Sequence, residues 1–245
     1  GYIEPRERSG YFVTYRESDG FAVLPESAPP VLLPPPRAPE NEFPFSVFAK
    51  TMRRVLSRYG ERLLVKSPNN GLPELRRALA AYLARSRGIF VQPAQIVIGS
   101  GAEYLYSLLA QLFRGAAFAL ENPSYEKIRR VYQANAIACE LLRLGPDGIL
   151  TDELERSGAG VLHVTPFNSY PSGVTASAAK RQEYLRWARR RGGIIIEDDF
   201  DSEFTVSTKA EDTIFSLAQG QPVVYLNTFS KTIAPSVRVG YMVLP

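Results

Sequence analysis

Residues 161–197 read VLHVTPFNSYPSGVTASAAKRQEYLRWARRRGGIIIE, and the fold can be inferred outward from this stretch. It begins with the apolar run Val161–Thr165 and ends with the apolar run Ile194–Glu197, with a helical segment between them. Short apolar runs that are separated by a helix are typical of buried parallel strands joined by a helical crossover. The stretch therefore predicts two parallel strands of an α/β sheet.

The same alternation extends along most of the chain. Two helical patterns come first, one from Pro44 with Phe48, Met52 and Val55 at three- and four-residue spacings, and one at Leu72–Arg87. Further apolar runs follow at Ile96–Ile98, Ala116–Leu120, Ile137–Leu144, Val223–Leu226 and Val239–Leu244. We therefore predict the α/β class with a mostly parallel sheet.

The composition of the 245-residue chain is that of a globular protein with a large core, since 45% of the residues are hydrophobic and 22% are charged. These values exclude disordered, collagen-like and coiled-coil classes. The net charge of +4 fits a nucleic-acid or phosphate partner without requiring one. A single cysteine, Cys139, and a single histidine, His163, exclude an internal disulfide and a Cys/His zinc site. We recognise no membrane span and no signal peptide, and we expect a cytoplasmic protein.

Two parts of the chain precede the α/β pattern. Residues 1–14, GYIEPRERSGYFVT, contain two short aromatic and β-branched runs around a turn, which predicts a hairpin. Residues 15–43 contain many of the 19 prolines, so we expect an extended interdomain linker without regular structure. The α/β domain is then predicted at residues 44–245. Because both termini lie in strand-like segments, we expect the sequence to be a fragment of a longer protein.

Polar residues directly follow the predicted strands. In parallel α/β sheets the ligand crevice lies beyond the carboxyl ends of the strands, so these residues are candidates for a binding site. They are the segments Gly99–Glu103, Glu121–Tyr125, Thr165–Gly173, Glu197–Asp201 and Asn227–Lys231. We expect them to converge on one edge of the sheet.

Each of these segments allows a structural and a chemical interpretation. Gly99–Glu103 could be a tight turn into a helix, or a phosphate cradle of backbone N–H groups at a helix N-terminus. Asp198-Asp199 could cap the next helix, or pair with a protonated ring nitrogen. Tyr125 could be a turn aromatic or a stacking surface, and Lys231 a surface charge or a nucleophile toward an aldehyde. Together with Arg238 they are the parts of a pyridoxal-phosphate site.

Longer motifs resemble a known family. EDDFDSEF at 197–204 and TFSKTIAPSVRVGYMVLP at 228–245 resemble the aminotransferase-like domain of MocR-type transcription regulators, which belong to the GntR family. Further matches are GLPELRRALAAYLARSRGI at 71–89, IVIGSGAEYLYSLLAQLF at 96–113 and YPSGV at 170–174. The resemblance covers roughly residues 40–245, and the combination of motifs is far more specific than any one of them.

The resemblance implies the large domain of the pyridoxal-phosphate-dependent transferases of fold type I. This domain is a three-layer sandwich around a mostly parallel sheet, and its smaller C-terminal companion is missing from the sequence. The implied cofactor is pyridoxal 5′-phosphate, held as a Schiff base on Lys231, with Asp198 paired to its ring nitrogen and Tyr125 stacked on its ring. The implied phosphate-binding residues are Gly101, Ala102, Glu103, Thr228, Ser230 and Arg238.

The resemblance also implies partners. Residues 1–13 are similar to the last strands and wing of the GntR-type winged helix-turn-helix domain, and the Pro-rich stretch is the interdomain linker in that family. We expect DNA to bind through the winged helix, whose recognition helix is absent here, and not through this chain alone. The implied effector is an amino acid or amine. Because sites of this type lie between two subunits, we expect a homodimer, and we expect no metal and no membrane partner.

The sequence departs from the family pattern at several positions. Phe200 replaces the usual Tyr, which donates a hydrogen bond to the phenolic oxygen of the cofactor, so we expect the pKa of the Schiff base to be raised. Asn168-Ser169 replaces the usual His-Gln, and either side chain could supply the missing contact. Lys66 stands where related aminotransferases often have a Tyr that reaches the phosphate of the neighbouring subunit. Residues 207–221 replace a more regular segment.

Three functions remain open from the sequence. The favoured one is an effector-sensing domain, in which the bound cofactor changes the dimer and so the attached DNA-binding domains. The alternative is a catalytically active class I/II aminotransferase, in which Lys231 moves a proton on an amino acid or amine substrate. The third is a dimerisation module without cofactor, and Lys231 and Asp198 argue against it. Because the same residues serve the first two functions, the sequence leaves enzyme activity undecided.

Overall fold

The computed structural model describes residues 3–7, 10–13, 43–200, 211–218 and 220–245. Two units make up the chain, residues 1–55 and 56–245. Apart from residue 43, the predicted linker lies outside the described residues, so the domain boundary between residues 43 and 44 stays a prediction. The end of the EDDFDSEF motif, residues 201–204, also lies outside them.

The first unit contains a two-stranded hairpin. Its strands are β1 (Ile3–Arg6) and β2 (Gly10–Val13), which pair antiparallel with Arg6 opposite Gly10. The guanidinium carbon of Arg6 lies 4.7 Å from the ring centroid of Phe12 on the facing strand. The hairpin predicted at the start of the chain is therefore confirmed.

Two helices match the first two helical patterns of the sequence. Helix α1 (Phe45–Tyr59) starts directly after Pro44 and leads into a short 3₁₀ helix at Gly60–Leu64. Helix α2 (Pro73–Ser86) has its proline at the first helical position, where the missing N–H costs no hydrogen bond. Both predicted helices are confirmed.

An eight-stranded sheet forms the frame of the second unit. Its strands are β3 (Ile96–Gly99), β4 (Phe118–Asn122), β5 (Cys139–Gly145), β6 (Gly148–Ile149), β7 (Val161–Val164), β8 (Ile194–Asp198), β9 (Val223–Thr228) and β10 (Gly240–Val243). Their spatial order is β3-β10-β9-β8-β7-β4-β5-β6. Neighbours from β5 to β9 are parallel, whereas β10 is antiparallel to β9 and β3, and β6 is antiparallel to β5. The prediction of a mostly parallel sheet is confirmed.

Helices connect most of these strands. They are α3 (Ala102–Leu112), α4 (Glu126–Ala134), α5 (Thr151–Arg156), α6 (Ala178–Arg191) and α7 (Ile214–Leu217). Helix α6 begins where the Ser177 hydroxyl accepts a hydrogen bond from the N–H of Lys180 at 3.1 Å, and it ends at Gly192, whose φ is +61°. Among the helices in the described ranges, none has both the length and the apolar character that crossing a membrane requires.

The core lies on both faces of the sheet. Successive side chains of a strand point to opposite faces. On β8, Ile195 packs in one cluster with Trp187 of α6, whereas Ile196 packs in another with Leu105 of α3 and Tyr132 of α4. The sheet is thus covered by helices on two sides, which confirms the predicted three-layer architecture.

The strand register brings the carboxyl ends of the central strands to one edge. Val164 of β7 pairs with Glu197 of β8, and Asp198 of β8 pairs with Leu226 of β9. The residues that follow β7, β8 and β9 therefore leave the sheet side by side. The register supplies the geometric reason for the convergence expected from the sequence.

Candidate cofactor site

A cavity of about 350 Å³ lies at the carboxyl ends of the strands. All the predicted site residues except Gly101 line it: Ala102, Glu103, Tyr125, Asp198, Thr228, Ser230, Lys231 and Arg238. These residues lie at the ends of β8 and β9 or in the segments that follow β3, β4 and β9, and Thr165 and Tyr170 add the segment after β7. The tertiary structure therefore brings together in one place residues that lie more than a hundred positions apart in the sequence.

One part of the cavity combines an arginine with the N-terminus of a helix. Helix α3 starts after Gly101, which has φ +86° and provides no side-chain cap for the N–H groups of the first turn. The Arg238 guanidinium packs against this glycine, because a Cβ atom at residue 101 would lie 2.8 Å from Nη2. Arg238 has no hydrogen-bond or ion-pair partner within the ranges the structure describes. A cation beside the positive end of a helix is unfavourable unless an anion joins them, so this corner fits a phosphate group.

Asp198 adds a carboxyl group to the lining of the cavity. Its side chain is 1% exposed at the end of β8, and its Oδ2 accepts a hydrogen bond from the Tyr106 hydroxyl. The Nε2 atom of His163 lies 3.5 Å from the same oxygen. Oδ1 of Asp198 is buried and has no hydrogen-bond partner among the residues described. Such an oxygen fits a cationic N–H donor, and a protonated pyridine nitrogen is one.

Lys231 and three aromatic side chains, Phe200, Tyr125 and Tyr170, also line the cavity. The Nζ atom of Lys231 lies 4.7 Å from the ring centroid of Phe200, so the amine contacts the face of the ring that replaces the family's tyrosine. The rings of Tyr125 and Tyr170 meet edge to face, with centroids 6.1 Å apart. Tyr170 is 60% exposed and lines the cavity, which places an aromatic edge at its solvent side.

Glu103 is oriented by an ion pair as well as by the helix. Its Oε1 accepts a hydrogen bond from Nζ of Lys127 at 2.9 Å, and both residues line the cavity. This pair joins the first turn of α3 to the first turn of α4. The side chain of Glu103 is therefore engaged in the ion pair with Lys127. At the predicted phosphate turn, it is the backbone of Glu103 that can bind an anion.

The acidic residues around Asp198 have separate tasks. Of the two interpretations of Asp198-Asp199, the capping one is not seen at α7, where Glu197 accepts the first two N–H groups of the helix at 2.8 Å each. Burial, and next the charge of Asp199, raises the pKa of Glu197 to about 8. Asp199 instead accepts a 2.6 Å hydrogen bond from Nη2 of Arg87, and both side chains are buried. Only Asp198 of the three acids lines the cavity.

The substitutions noted in the sequence have different outcomes. The hydroxyl of Ser169 donates a 2.7 Å hydrogen bond to Glu121 and is buried, so this side chain is committed to the loop and does not line the cavity. Asn168 is also absent from the lining, and its backbone N–H donates to the Thr175 hydroxyl at 3.2 Å. The expectation that either residue supplies the hydrogen bond that Phe200 cannot donate therefore gains no support from the structure. Lys66 is exposed and lies outside the lining.

Sequence reasoning missed the residues behind Asp198. Tyr106, Tyr132 and His163 form a buried aromatic cluster with ring centroids 5.4–6.1 Å apart. Tyr106 lies four residues after Ala102, one turn further along α3, which was the available signal that it faces the same cavity. Within the described ranges, no three His, Cys, Asp or Glu side chains are grouped in a way that could hold a metal ion.

Comparisons with known proteins identify the family of the chain. The model of the family described as aminotransferase class I and II matches residues 38–245. The chain is 32% identical over 261 residues to the uncharacterized HTH-type transcriptional regulator YdeL of Bacillus subtilis, with 100% of this chain and 56% of that protein covered. It is 28% identical over 271 residues to the probable rhizopine catabolism regulatory protein MocR of Rhizobium meliloti, with 100% and 55% covered.

A solved structure with a similar fold is LysN, the alpha-aminoadipate aminotransferase of Thermus thermophilus, complexed with N-(5′-phosphopyridoxyl)-L-leucine. The TM-score is 0.76 at 28% sequence identity, with 83% of this chain and 53% of that chain covered. The chain thus spans about half the length of the regulators and of the aminotransferase that it matches.

Proposed function

The chain belongs to the aminotransferase class I and II family, among the MocR-type transcription regulators, and from this membership we propose that it binds pyridoxal 5′-phosphate as a Schiff base on Lys231. In this proposal the chain is the effector-sensing domain of a transcription regulator. DNA is bound by a separate helix-turn-helix domain.

One observation carries the proposal. The cavity has an unpaired cation, Arg238, beside the N-terminus of α3, and an unpaired buried carboxylate oxygen, Oδ1 of Asp198, as far as the described residues extend. Pyridoxal 5′-phosphate has the complementary groups, an anionic phosphate and a ring nitrogen that can carry a proton. Because an unpaired buried carboxylate oxygen is costly, a ligand that pairs with Oδ1 of Asp198 and also brings an anion to the exposed Arg238 is favoured.

Each residue has a task that follows from its contacts. Arg238, Thr228, Ser230 and the first turn of α3 bind the phosphate, and Asp198 holds a proton on the ring nitrogen. Tyr125 packs on one face of the ring. The cofactor, when bound, withdraws electrons from the amine that is joined to it. Lys231 supplies the primary amine that holds the aldehyde until an effector amine replaces it.

The effector is an amino acid or another primary amine in this proposal. Its amino group competes with Lys231 for the same aldehyde, and its remainder meets the edge-to-face pair Tyr125 and Tyr170. Tyr170 follows β7 and Lys231 follows β9, so one ligand contacts segments from different strands. Such a ligand can shift the relative position of these segments, which is how a sensory domain passes on its occupancy.

A homodimer belongs to the same proposal. Several large apolar side chains of the second unit are exposed, among them Leu64 at 87%, Phe90 at 83% and Val65 at 70%. Exposed apolar surface of this kind is typical of an interaction face. The mass in solution tests this part, and a strictly monomeric protein at working concentration would contradict it.

The experiment that tests the cofactor site is a visible spectrum of the protein with added pyridoxal phosphate, followed by borohydride reduction and peptide mapping. We expect an imine band and a reduced adduct on Lys231. The Lys231→Ala variant should lose both, whereas Lys127→Ala, which removes the other lysine of the lining, should keep them. An adduct spread over several lysines, or one retained in Lys231→Ala, would overturn the proposal.

Turnover is the second candidate function, and one observation favours it. Lys231 and Asp198 both line the cavity, so an amine that moves a proton and a carboxylate that keeps the ring electron-poor are both present. The test is whether the protein with bound cofactor converts an amino donor and a keto acid. Sustained turnover would assign a metabolic activity, whereas a spectral change with an amine and no turnover would support sensing alone.

A further inference from the structure

We propose that Tyr106 is a positioning residue of the cofactor site, whose hydroxyl holds Oδ2 of Asp198 and so reserves Oδ1 for the ring nitrogen of the cofactor. This inference rests on the proposed function. Helix α3 then has two roles. Its first turn borders the proposed phosphate site beside Arg238, and Tyr106 acts at the opposite end of the ligand.

The contact itself is direct. The Tyr106 hydroxyl donates to Oδ2, and this is the only hydrogen bond to the Asp198 carboxylate within the described part of the chain. His163 lies 3.5 Å from the same oxygen, which is too long for a strong hydrogen bond. Tyr106 is therefore the group that decides how the carboxylate is turned and which of its oxygens stays unpaired.

Tyr106 is well suited to remain a donor. It is 2% exposed, and burial together with the charge of Asp198 raises its pKa well above the ordinary value. A phenol that keeps its proton can donate a charge-assisted hydrogen bond to a carboxylate. The carboxylate that accepts this bond, Asp198, is the group that pairs with the ring nitrogen in the proposed function.

A second contact, between Tyr132 and His163, supports the contact of Tyr106 with Asp198. The Tyr132 oxygen and Nδ1 of His163 are 2.7 Å apart. Burial raises the pKa of Tyr132 well above its ordinary value, so its hydroxyl keeps its proton and can donate it to Nδ1. The other ring nitrogen of His163, Nε2, faces Oδ2 of Asp198. Tyr132 acts on Asp198 only through His163, so its effect on the orientation of Asp198 should be weaker than that of Tyr106.

The position of Tyr106 on α3 has a further consequence. Residues Ala102 and Tyr106 are separated by one helical turn, about 6 Å along the axis. The same rigid element therefore borders the proposed phosphate site at its first turn and anchors the acid one turn later. The distance between the two charged ends of the site is set by a helix and not by a loop.

The test compares tyrosine-to-phenylalanine variants, which keep the ring and remove only the hydroxyl. The protein is loaded with pyridoxal phosphate labelled with ¹⁵N in the ring, and the ring-nitrogen resonance and the cofactor Kd are measured. For Tyr106→Phe we expect the resonance to move toward that of an unprotonated pyridine and the Kd to rise about ten-fold. For Tyr132→Phe we expect a smaller change in both.

Tyr184→Phe is the matched control. Its hydroxyl is also buried and accepts a 2.8 Å hydrogen bond from the N–H of Ile149, but it lies outside the cavity lining. We expect its resonance and Kd to equal those of the unchanged protein. Asp198→Asn provides the background for a double variant. If Tyr106 acts through Asp198, adding Tyr106→Phe to Asp198→Asn changes neither quantity further.

The outcomes separate this inference from the proposed function. If the unchanged protein binds no cofactor, the proposed function fails and the inference fails with it. If the unchanged protein binds cofactor, and Tyr106→Phe has the same resonance and Kd while Asp198→Asn does not, the inference alone is overturned. Should Tyr106→Phe fail to fold, as judged by circular dichroism, 3-fluorotyrosine at position 106 replaces it. As a stronger donor it is expected to tighten cofactor binding, and an unchanged Kd would overturn the inference.

Discussion

The Arg238 guanidinium lies against the Cα atom of Gly101 so closely that a methyl group at residue 101 would be 2.8 Å from Nη2. Arg238 itself has a left-handed backbone, with φ +49° and ψ +47°, a conformation that is costly for a residue with a side chain. The fold thus holds a strained arginine at the positive end of α3. This is the relationship that most directly supports the proposed phosphate site.

The first prediction concerns Gly101→Ala. The added methyl group must displace Arg238, so we expect the Kd for pyridoxal phosphate to rise at least ten-fold, because the charge-assisted hydrogen bond from Arg238 to the phosphate is weakened. The substitution also places alanine at φ +86° and ψ +177°, a backbone region that is essentially restricted to glycine, which costs about 1–3 kcal/mol of folding stability. Gly115→Ala is the control, since Gly115 has φ +94° and open space around it. It should lower the stability similarly and leave the Kd unchanged.

The second prediction concerns Phe200→Tyr. The Phe200 ring contacts Nζ of Lys231 and has no donor to offer. A tyrosine hydroxyl near the phenolic oxygen of the cofactor would stabilise its ionised form. We therefore expect the pH midpoint of the visible absorption band to fall in Phe200→Tyr, which a spectrophotometric pH titration measures. A midpoint that stays the same or rises would show that the residue at 200 does not reach that oxygen.

The third prediction concerns the buried carboxyl group of Glu121. Burial raises its pKa from 4.5 to about 8, so the folded state binds a proton that the unfolded state has released. Its contribution to stability is therefore fully present below pH 4.5 and is lost as the pH rises through about 8. The free energy of unfolding should fall by at most about 1.4 kcal/mol per pH unit in this window. Glu121→Gln should flatten this slope in urea titrations, and an equal slope in both proteins would contradict the assignment.

The fourth prediction concerns the ion pair of Arg87 and Asp199. Both side chains are buried, and their atoms are 2.6 Å apart. Arg87→Ala leaves a buried carboxylate without its cationic partner, so we expect a loss of about 3–5 kcal/mol in the free energy of unfolding. Arg130→Ala is the control, because its partner Glu126 is as exposed as Arg130 itself. It should change the stability little, and equal effects of the two variants would refute the argument.

The elements and the polar strand ends could be predicted from the sequence, because both are local properties. Apolar runs such as Ile194–Glu197 identify strands by themselves, and polar residues after parallel strands share an edge by topology. Lys231 and Asp198 could be placed in one site because each follows such a run. The resemblance of EDDFDSEF and TFSKTIAPSVRVGYMVLP to a regulator family added the cofactor, and the family match agrees with it.

Other features depend on contacts between distant segments and could not be predicted. The sequence left open whether Asp198-Asp199 caps a helix, and at α7 it is Glu197 that accepts the first N–H groups. It also left open whether Asn168 or Ser169 reaches the cofactor, and Ser169 is instead bonded to Glu121, which lies on β4. A strand pattern shows that a side chain is buried but not which group it meets.

The sequence by itself determined the class of the fold, seven of the eight strands of the large sheet, and the set of residue types at the strand ends, since each depends on local pattern. Only the tertiary structure decided which of those residues are paired and which are left unpaired. It satisfied Asp199 with Arg87 and Ser169 with Glu121, and it left Arg238 and Oδ1 of Asp198 without partners in the described part of the chain. Pairing depends on distances between side chains that are far apart in sequence, and those distances exist only once the chain has folded.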